Sequence, residues 1–154
     1  PGGVRMWGRY GAAGLFLLAR NSSGPVVLMQ HRAAWTNFGD TWGIPGGARD
    51  LHESAEEAAV RETVEECAID PNHVSVVGAE VTAGPFEAVA GLPGGWTYTT
   101  VIAQTSDGNT LATTANEESK ELRWVPVDQL EELQLIAPFR QALPRIRQLI
   151  EPLI

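Results

Sequence analysis

The chain has 154 residues, enough for one globular domain with a core of its own, and we expect a single domain over residues 1–154. Its 44% hydrophobic and 19% charged residues exclude a disordered tail. A formal net charge of -8 argues against large nucleic acids as partners, because nonspecific binding to them needs clustered Lys and Arg. No apolar run reaches the about 20 residues of a membrane-spanning helix. Residues 1–3 lack the basic patch and long apolar run of a signal peptide, so we expect a cytoplasmic protein without membrane partners.

The first half of the chain has the pattern of β structure. Two short apolar runs over residues 12–20 and 26–32 flank a turn-forming segment at 21–25, which predicts a β-hairpin. A loop over residues 33–40 follows. The next segment, Trp-Gly-Ile-Pro-Gly-Gly at 42–47, contains Pro and Gly where a helix cannot continue.

The first helix is predicted after this segment. Ser54 is placed to cap it, and Glu57, three residues later, completes a capping box. The helical pattern continues to about Ala68, and Asp70 followed by Pro71 ends it.

Further strands and helices are predicted in the second half. Residues 74–82 and 96–104 are β-like, and we expect them to pair antiparallel on either side of a loop at 84–95. The other predicted elements are a strand at 121–125, a short helix capped by Asp128 and Glu131 that ends near Leu133, and a helix at 138–151 that Pro144 either kinks or divides. Together these elements predict an α+β fold, an α/β/α sandwich around a mixed β-sheet.

Three glutamates of the first helix form the most informative cluster. Glu62, Glu65 and Glu66 are spaced i, i+3 and i+4, so their carboxylates project from one face within a turn. Such neighbours repel, and a hard divalent cation with oxygen ligands would compensate them. The opposite face can contact a core, and small alanines near the acidic face (Ala55, Ala58, Ala59) leave room for a ligand or a loop.

Two further groups fit this arrangement. Arg61 can pair with Glu53 and so fix the preceding loop to the helix. Gly46 allows the backbone to approach closely enough to offer its carbonyl to the same cation. The three glutamates alone would more simply indicate a solvated helix face. The combined spacing of Gly, Glu, Arg-Glu and Glu-Glu favours a site.

This spacing resembles the signature of the Nudix hydrolases. Gly47, Glu53, the Arg61-Glu62 pair and the Glu65-Glu66 pair all match. Thr63 stands where the family prefers an aliphatic residue, and Ala68 stands where it prefers glycine. Both departures concern packing and the helix end, and neither removes a candidate metal ligand. The flanking strand pair, the segment at 42–47 and the run at 121–126 also resemble the family.

The resemblance implies Mg²⁺ or Mn²⁺ bound by Glu62, Glu65 and Glu66 with help from the Gly46 carbonyl. It also implies hydrolysis of a pyrophosphate linkage in a nucleoside di- or triphosphate or another nucleoside-diphosphate-linked small molecule. The carboxylate that accepts the proton of the attacking water is either Glu65 or a glutamate of the loop at 116–119. In that loop we select Glu118, with Glu117 as the other possibility.

Recognition of the rest of the substrate is expected from aromatic and basic side chains. Five aromatic residues lie in predicted loops and strand edges, and at most two of them should contact substrate; they are Trp35, Phe38, Trp42, Trp96 and Tyr98. We select Trp42 and Trp96. Arg32 and Arg49 are the candidates for phosphate contacts. The loop at 84–95 is the expected specificity element, because loops on a rigid scaffold often carry recognition.

Two other functions compete with hydrolysis. A Nudix-like domain could sense a ligand without cutting it, although a pure sensor would not need all three glutamates. An isoprenyl-diphosphate isomerase has a similar fold, but the single cysteine, Cys67, is expected to face the core. The sequence leaves the oligomeric state open between monomer and homodimer.

Overall fold

A computed structural model describes residues 11–36, 39–86 and 96–154, without the side chains of residues 85, 86 and 96. The strands are β1 (Ala12–Asn21), β2 (Gly24–Arg32), β3 (Trp42–Gly43), β4 (Gly46–Ala48), β5 (Val74–Phe86), β6 (Trp96–Asn109) and β7 (Ser119–Pro126). The α-helices are α1 (Ala55–Cys67) and α2 (Ala137–Ile150), and short 3₁₀ helices cover Pro71–His73, Val127–Glu132 and Glu151–Leu153. Among the described residues no helix has the length and apolar character needed to cross a membrane.

The strands form one mixed sheet in the order β3-β2-β1-β6-β5, with β4 beside β1 and β7 beside β2. The β1–β2 hairpin and the antiparallel β5–β6 pair are confirmed, whereas β1 and β6 run parallel. Along one edge β1 changes partner: its second half pairs with β2 from Leu18 onward, and its first half pairs with β4 at Ala12 to Gly14. This change places β4 in the sheet directly below α1.

Alternation along the central strands creates two cores, one on each face of the sheet. Leu15 and Leu17 of β1 point into the core beneath α1, whereas Phe16 and Leu18 point into the core beneath α2. Helices therefore cover both faces, and the predicted α/β/α sandwich is confirmed. Cys67 is buried in the core beneath α1, as expected.

Helix α1 begins as predicted. The Ser54 side chain accepts from the Glu57 N–H, and the Glu57 side chain accepts from the Ser54 N–H. The helix ends at Ala68, which adopts a left-handed conformation with φ of 59°. The expectation that Ala58 and Ala59 leave room beside the acidic face is wrong in part: both are fully buried in the core beneath α1. Their small size lets the helix pack closely on the sheet.

Several details of these elements differ from the prediction. Residues 127–132 form a 3₁₀ helix that starts after Pro126, with no side-chain cap, so the predicted capping box of Asp128 and Glu131 is wrong. The Glu131 carboxylate instead accepts from Arg147 of α2 at 2.5 Å. Helix α2 contains Pro144 inside a continuous helix. Strand β5 extends to Phe86, so the predicted loop at 84–95 begins as strand, and its residues 87–95 lie outside the described residues.

Candidate active site

The candidate site lies where α1 crosses β4. A Cβ atom on Gly47 would lie 2.6 Å from Cδ of Glu62, and a Cβ on Gly46 would lie 2.3 Å from the carbonyl oxygen of Ala13. Both distances are shorter than real Cβ contacts; at Gly46 the obstacle is the backbone of β1, so only glycine allows β4 and β1 to approach this closely, whereas at Gly47 it is the end of the Glu62 side chain. The acidic face of α1 therefore lies in close contact with the glycine backbone of β4.

Arg61 joins the elements around this contact. Its Nε and Nη2 donate to the two carboxylate oxygens of Glu53 at 2.6 and 3.0 Å, and Nη2 also donates to the carbonyl of Ala48 at 3.1 Å. The expected ion pair between Arg61 and Glu53 is thus present, and it ties both the loop and β4 to the helix. The hydrogen bond from Arg61 holds the pKa of Glu53 below its ordinary value.

The three glutamates of the cluster differ in exposure. Arg61 Nη1 lies 3.1 Å from Glu62 Oε2 and 3.5 Å from Glu65 Oε1. The Glu65 side chain is 58% exposed, whereas Glu66 is only 3% exposed. Glu66 therefore forms the buried floor of the cluster, Glu62 lies between helix and β4, and Glu65 lies at the rim.

Glu66 is held by two donors. Gln30 Nε2 donates to Glu66 Oε1 at 3.2 Å, and the Gly46 N–H donates to the same oxygen at 3.4 Å. Burial, together with the nearby charges of Glu62 and Glu118, raises the pKa of Glu66 to about 9. Burial likewise raises the pKa of Glu62. Without a cation, this part of the protein cannot stabilise all of its carboxylates in the charged form.

Oxygen donors are present here, but they do not converge. Within the described ranges, no three His, Cys, Asp or Glu side chains lie close enough to hold an ion as they stand. The reason is visible in the contacts, because Arg61 draws Glu62 and Glu65 toward itself. A buried carboxylate crowded by two others, beside a glycine backbone, fits a hard divalent cation by donor chemistry.

The loop that carries Glu118 is fastened to α1 and to the chain after β2. The Thr114 N–H donates to the carbonyl of Cys67 at 2.9 Å, and Asn116 Nδ2 donates to that of Glu65 at 3.4 Å, near the end of the helix. The Ala33 N–H donates to the carbonyl of Glu118 at 2.9 Å. The charge of Glu118 contributes to the raised pKa of Glu66, and the next residue, Ser119, accepts from Gln30, which also donates to Glu66.

A cavity of about 120 Å³ adjoins β4 on the side of α2. Most of its lining is apolar, including Phe139 and Ala142 of α2, and Arg32 is the charged residue among the lining residues that the structure describes. Tyr98 lines the cavity, and its hydroxyl lies over Gly14, where an added Cβ atom would be only 2.0 Å from the hydroxyl oxygen. Burial and, secondly, the charge of Glu66 raise the pKa of Tyr98. The cavity and the acidic cluster are therefore neighbours across β4.

The residues predicted to contact substrate have different surroundings in the structure. Arg32 lines the cavity, whereas Arg49 donates to the backbone carbonyl of Glu53 at 2.9 and 3.2 Å and stabilises the loop. The prediction that Trp42 contacts substrate is corrected. Trp42 is 7% exposed in the core beneath α2, with the His31 ring stacked on it at 4.6 Å and Arg123 over it at 4.7 Å. With so little of its ring exposed, Trp42 is not available for stacking on a base.

The other aromatic candidates are less constrained. The Trp96 side chain and Phe38 lie outside the described part of the chain. Trp35 is 68% exposed, and its Nε1 donates to the carbonyl of Glu117 at 3.1 Å, beside the loop that carries Glu118.

Gln30 was not predicted for the site, and Tyr98 was named only as one of five aromatic candidates, of which Trp42 and Trp96 were selected. The available signal for Gln30 was a single polar residue at the end of the apolar run Val26 to Met29, where an amide needs a buried partner.

Comparison with known proteins places the chain in a family. The NUDIX domain profile matches residues 9–146, and the chain belongs to the Nudix family. A Mycobacterium tuberculosis protein named "Putative 8-oxo-dGTP diphosphatase 3" is 48% identical over 147 residues, 94% of this chain. The chain spans 65% of that relative's length. The crystal structure of a Nudix hydrolase from M. smegmatis, RenU, superposes with a TM-score of 0.87 at 42% identity, covering 99% of this chain and 92% of that one.

A second relative shows the domain joined to another activity. A Bifidobacterium longum protein named nucleoside triphosphate pyrophosphatase/Nudix hydrolase fusion protein is 41% identical over 156 residues. The match covers 98% of this chain and 30% of that protein.

Proposed function

We propose that this chain is a divalent-metal-dependent pyrophosphohydrolase that acts on a nucleoside di- or triphosphate or a related nucleoside-diphosphate-linked molecule. One observation carries the proposal: Glu66 is buried among other carboxylates beside β4, and a cavity suited to an organic group opens on the other side of that strand. A polyphosphate could then lie at the acidic cluster through a cation, with its nucleoside in the cavity.

The residues that would hold the cation are Glu62, Glu65 and Glu66, with the carbonyl of Gly46. Mg²⁺ is the expected ion, and Mn²⁺ accepts the same oxygen donors. When bound, such an ion neutralises charge on phosphate oxygens and lowers the pKa of water. Arg61 serves a different purpose, because its bonds to Glu53 and Ala48 hold loop, strand and helix in one arrangement.

The protein must also accept a proton. Attack of water on phosphorus forms a P–O bond, breaks the anhydride P–O bond, and releases one proton from the water. Glu118 and Glu65 are the two candidate acceptors, Glu118 because its charge acts on Glu66, and Glu65 because it lies at the exposed rim. The acceptor is identified by comparing kcat of Glu118→Gln with that of Glu65→Gln: the variant with the larger loss has lost the acceptor. Mn²⁺ affinity is measured for both variants in parallel.

The cavity supports a nucleoside as the organic group. Its apolar lining suits a base ring, and Arg32 and the Tyr98 hydroxyl supply polar groups for orientation. The name of the M. tuberculosis relative makes oxidised purine nucleoside triphosphates the first compounds to test. Trp35, exposed beside the Glu118 loop, is the other available stacking surface.

The experiment is a hydrolysis panel with the purified chain. Phosphate and pyrophosphate release are measured from 8-oxo-dGTP, ordinary nucleoside triphosphates, dinucleoside polyphosphates and nucleotide sugars, each with Mg²⁺, with Mn²⁺ and with chelator. The matched variants are Glu66→Gln, in the cluster, and Glu56→Gln, an exposed glutamate in the first turn of the same helix.

Turnover that needs the metal, is lost in Glu66→Gln and persists in Glu56→Gln supports the proposal. Ligand binding without turnover across the whole panel would instead identify a sensing domain.

A further inference from the structure

Gln30 is a buried amide side chain at the end of an apolar run of β2. It follows Val26, Val27, Leu28 and Met29 on β2 and is 1% exposed. Alternation along the strand turns Leu28 and Gln30 toward α1, whereas Met29 faces α2. An apolar residue would serve the core better here, since burying an amide is unfavourable unless all of its polar atoms have partners.

The amide is not completely satisfied. Nε2 donates to Glu66 Oε1 at 3.2 Å and to Ser119 Oγ at 2.8 Å, so both of its hydrogens are used. Oε1 is buried and has no hydrogen-bond partner within the described part of the chain. The carbonyl oxygen of Gln30 is therefore buried without a hydrogen bond to any described residue, which is unfavourable for stability. The presence of an amide at this position needs another explanation.

We propose that Gln30 is a positioning residue that sets the orientation of Glu66 for the cation and connects Glu66 to the loop that carries Glu118. The inference rests on the proposed function, because Glu66 is assigned there as a metal ligand. Two donors, from Gln30 and from the Gly46 N–H, meet on one oxygen of Glu66 and so fix the rotation of its carboxylate. The second oxygen then has a single orientation.

The second hydrogen bond gives the connection. Ser119 directly follows Glu118, and the carbonyl of Glu118 already accepts from the Ala33 N–H, one residue past the end of β2. The end of β2 thus contacts the Glu118 segment twice, through the Gln30 side chain at Ser119 and through the Ala33 N–H at Glu118. The same Gln30 side chain contacts Glu66. A shift of the Glu66 carboxylate therefore moves the same amide that fixes Ser119.

Two variants separate the two hydrogen bonds. Gln30→Met keeps the length of the side chain and removes both, whereas Ser119→Ala removes only the bond to the loop. Thr105→Val is the matched control, because Thr105 is also buried in the sheet and its hydroxyl also has no hydrogen-bond partner among the described residues. Mn²⁺ affinity is measured by electron paramagnetic resonance of free Mn²⁺, thermal unfolding is measured with chelator, and kcat and KM are measured with the best substrate of the panel.

For Gln30→Met we expect Mn²⁺ affinity to fall roughly 10–100-fold, the effect usual for a group that supports a metal ligand. We expect its metal-free Tm to be equal to or above that of the wild type, since the unpaired amide is gone. Ser119→Ala should keep wild-type Mn²⁺ affinity but lose kcat, with faster amide hydrogen exchange over residues 114–119. Thr105→Val should match the wild type in Mn²⁺ affinity and kcat.

Wild-type Mn²⁺ affinity and kcat in Gln30→Met would overturn the inference and leave the proposed function intact. A large fall in its metal-free Tm would likewise overturn it, by showing that Gln30 serves the fold. If the wild-type chain neither bound Mn²⁺ nor hydrolysed any substrate, the proposed function itself would fail. Wild-type kcat and exchange in Ser119→Ala would refute the connection to the Glu118 loop, even if Gln30→Met did not fold.

Discussion

Gly47→Ala would place a methyl carbon 2.6 Å from Cδ of Glu62 and 2.8 and 2.9 Å from its carboxylate oxygens. The backbone of Gly47 is not in the left-handed region, so alanine is acceptable there in itself. The methyl group meets only the flexible end of a side chain. The Glu62 side chain can therefore move away, and the distance from its Cδ to the new methyl carbon must increase from 2.6 Å to the 3.4 Å of ordinary contact.

The expected effect is a loss of activity without unfolding. A displacement of this size moves a candidate ligand by close to 1 Å, and a misplacement of about 1 Å costs about 10²-fold in rate. That loss corresponds to about 2.7 kcal/mol in the activation free energy. Because the fold is not otherwise disturbed, Tm should stay near that of the wild type.

The neighbouring glycine provides the contrast. Gly46→Ala would place its methyl carbon 2.3 Å from the carbonyl oxygen of Ala13 and 2.5 Å from Cα of Gly14, which are backbone atoms of β1. These atoms cannot move without separating the strands, so we expect a cost of about 1–3 kcal/mol or more. For a domain of this size each kcal/mol lowers Tm by roughly 2–4 °C.

The assay is kcat, Mn²⁺ affinity and Tm for both variants, with Gly78→Ala as the control. A Cβ at Gly78 meets nothing within 4 Å, so that variant should resemble the wild type in all three. The reasoning is refuted if Gly47→Ala keeps wild-type kcat, or if its Tm falls as far as that of Gly46→Ala.

Three further predictions concern single residues. Glu65→Gln should lower kcat at least about 10²-fold while leaving Tm unchanged, because the side chain is largely exposed; near-normal turnover would remove Glu65 from the mechanism. The pKa of Glu53 is lowered from 4.5 by the hydrogen bond from Arg61, so its contribution to stability is present above the unfolded pKa and is lost as pH falls through the folded value. Glu53→Gln should therefore be less stable than the wild type at neutral pH by about 1–3 kcal/mol in urea unfolding, and the difference should close in acid; a constant difference would contradict this. Ala68→Gly should raise the free energy of unfolding by about 1 kcal/mol, because alanine at φ of 59° is strained and glycine is not; an unchanged or lower Tm would show that the helix end is not strained.

Local signals in the sequence predicted much of this structure. The Ser54–Glu57 capping box, the β1–β2 hairpin and the ion pair of Arg61 with Glu53 all depend on residues less than ten positions apart. Such features are set by helix and turn geometry, which a sequence expresses directly. The family motif adds that the carboxylates share one region of space.

Features that depend on strand partners were not predictable in the same way. Alternation shows which residues share a face but not which strand pairs with which, so the change of partner along β1 and the insertion of β4 were not foreseen. Trp42 illustrates the same limit: an aromatic beside glycine suits either a binding site or a core. His31 and Arg123, which are distant in sequence, decide that it is core.

The parallel pairing of β1 with β6 also bears on how the protein folds. Ala12 pairs with Tyr98, so this contact closes a loop of 86 residues (98 − 12). The hairpin and α1 can form from local contacts, but this pairing must wait for the distant strand, which makes it the slow event expected of long-range β contacts. A fragment that ends before β6 would carry every residue of the Nudix motif and yet lack one wall of the cavity. Completion of the pocket therefore coincides with completion of the fold, and the carboxylates of the motif are synthesised well before the strand that completes the cavity.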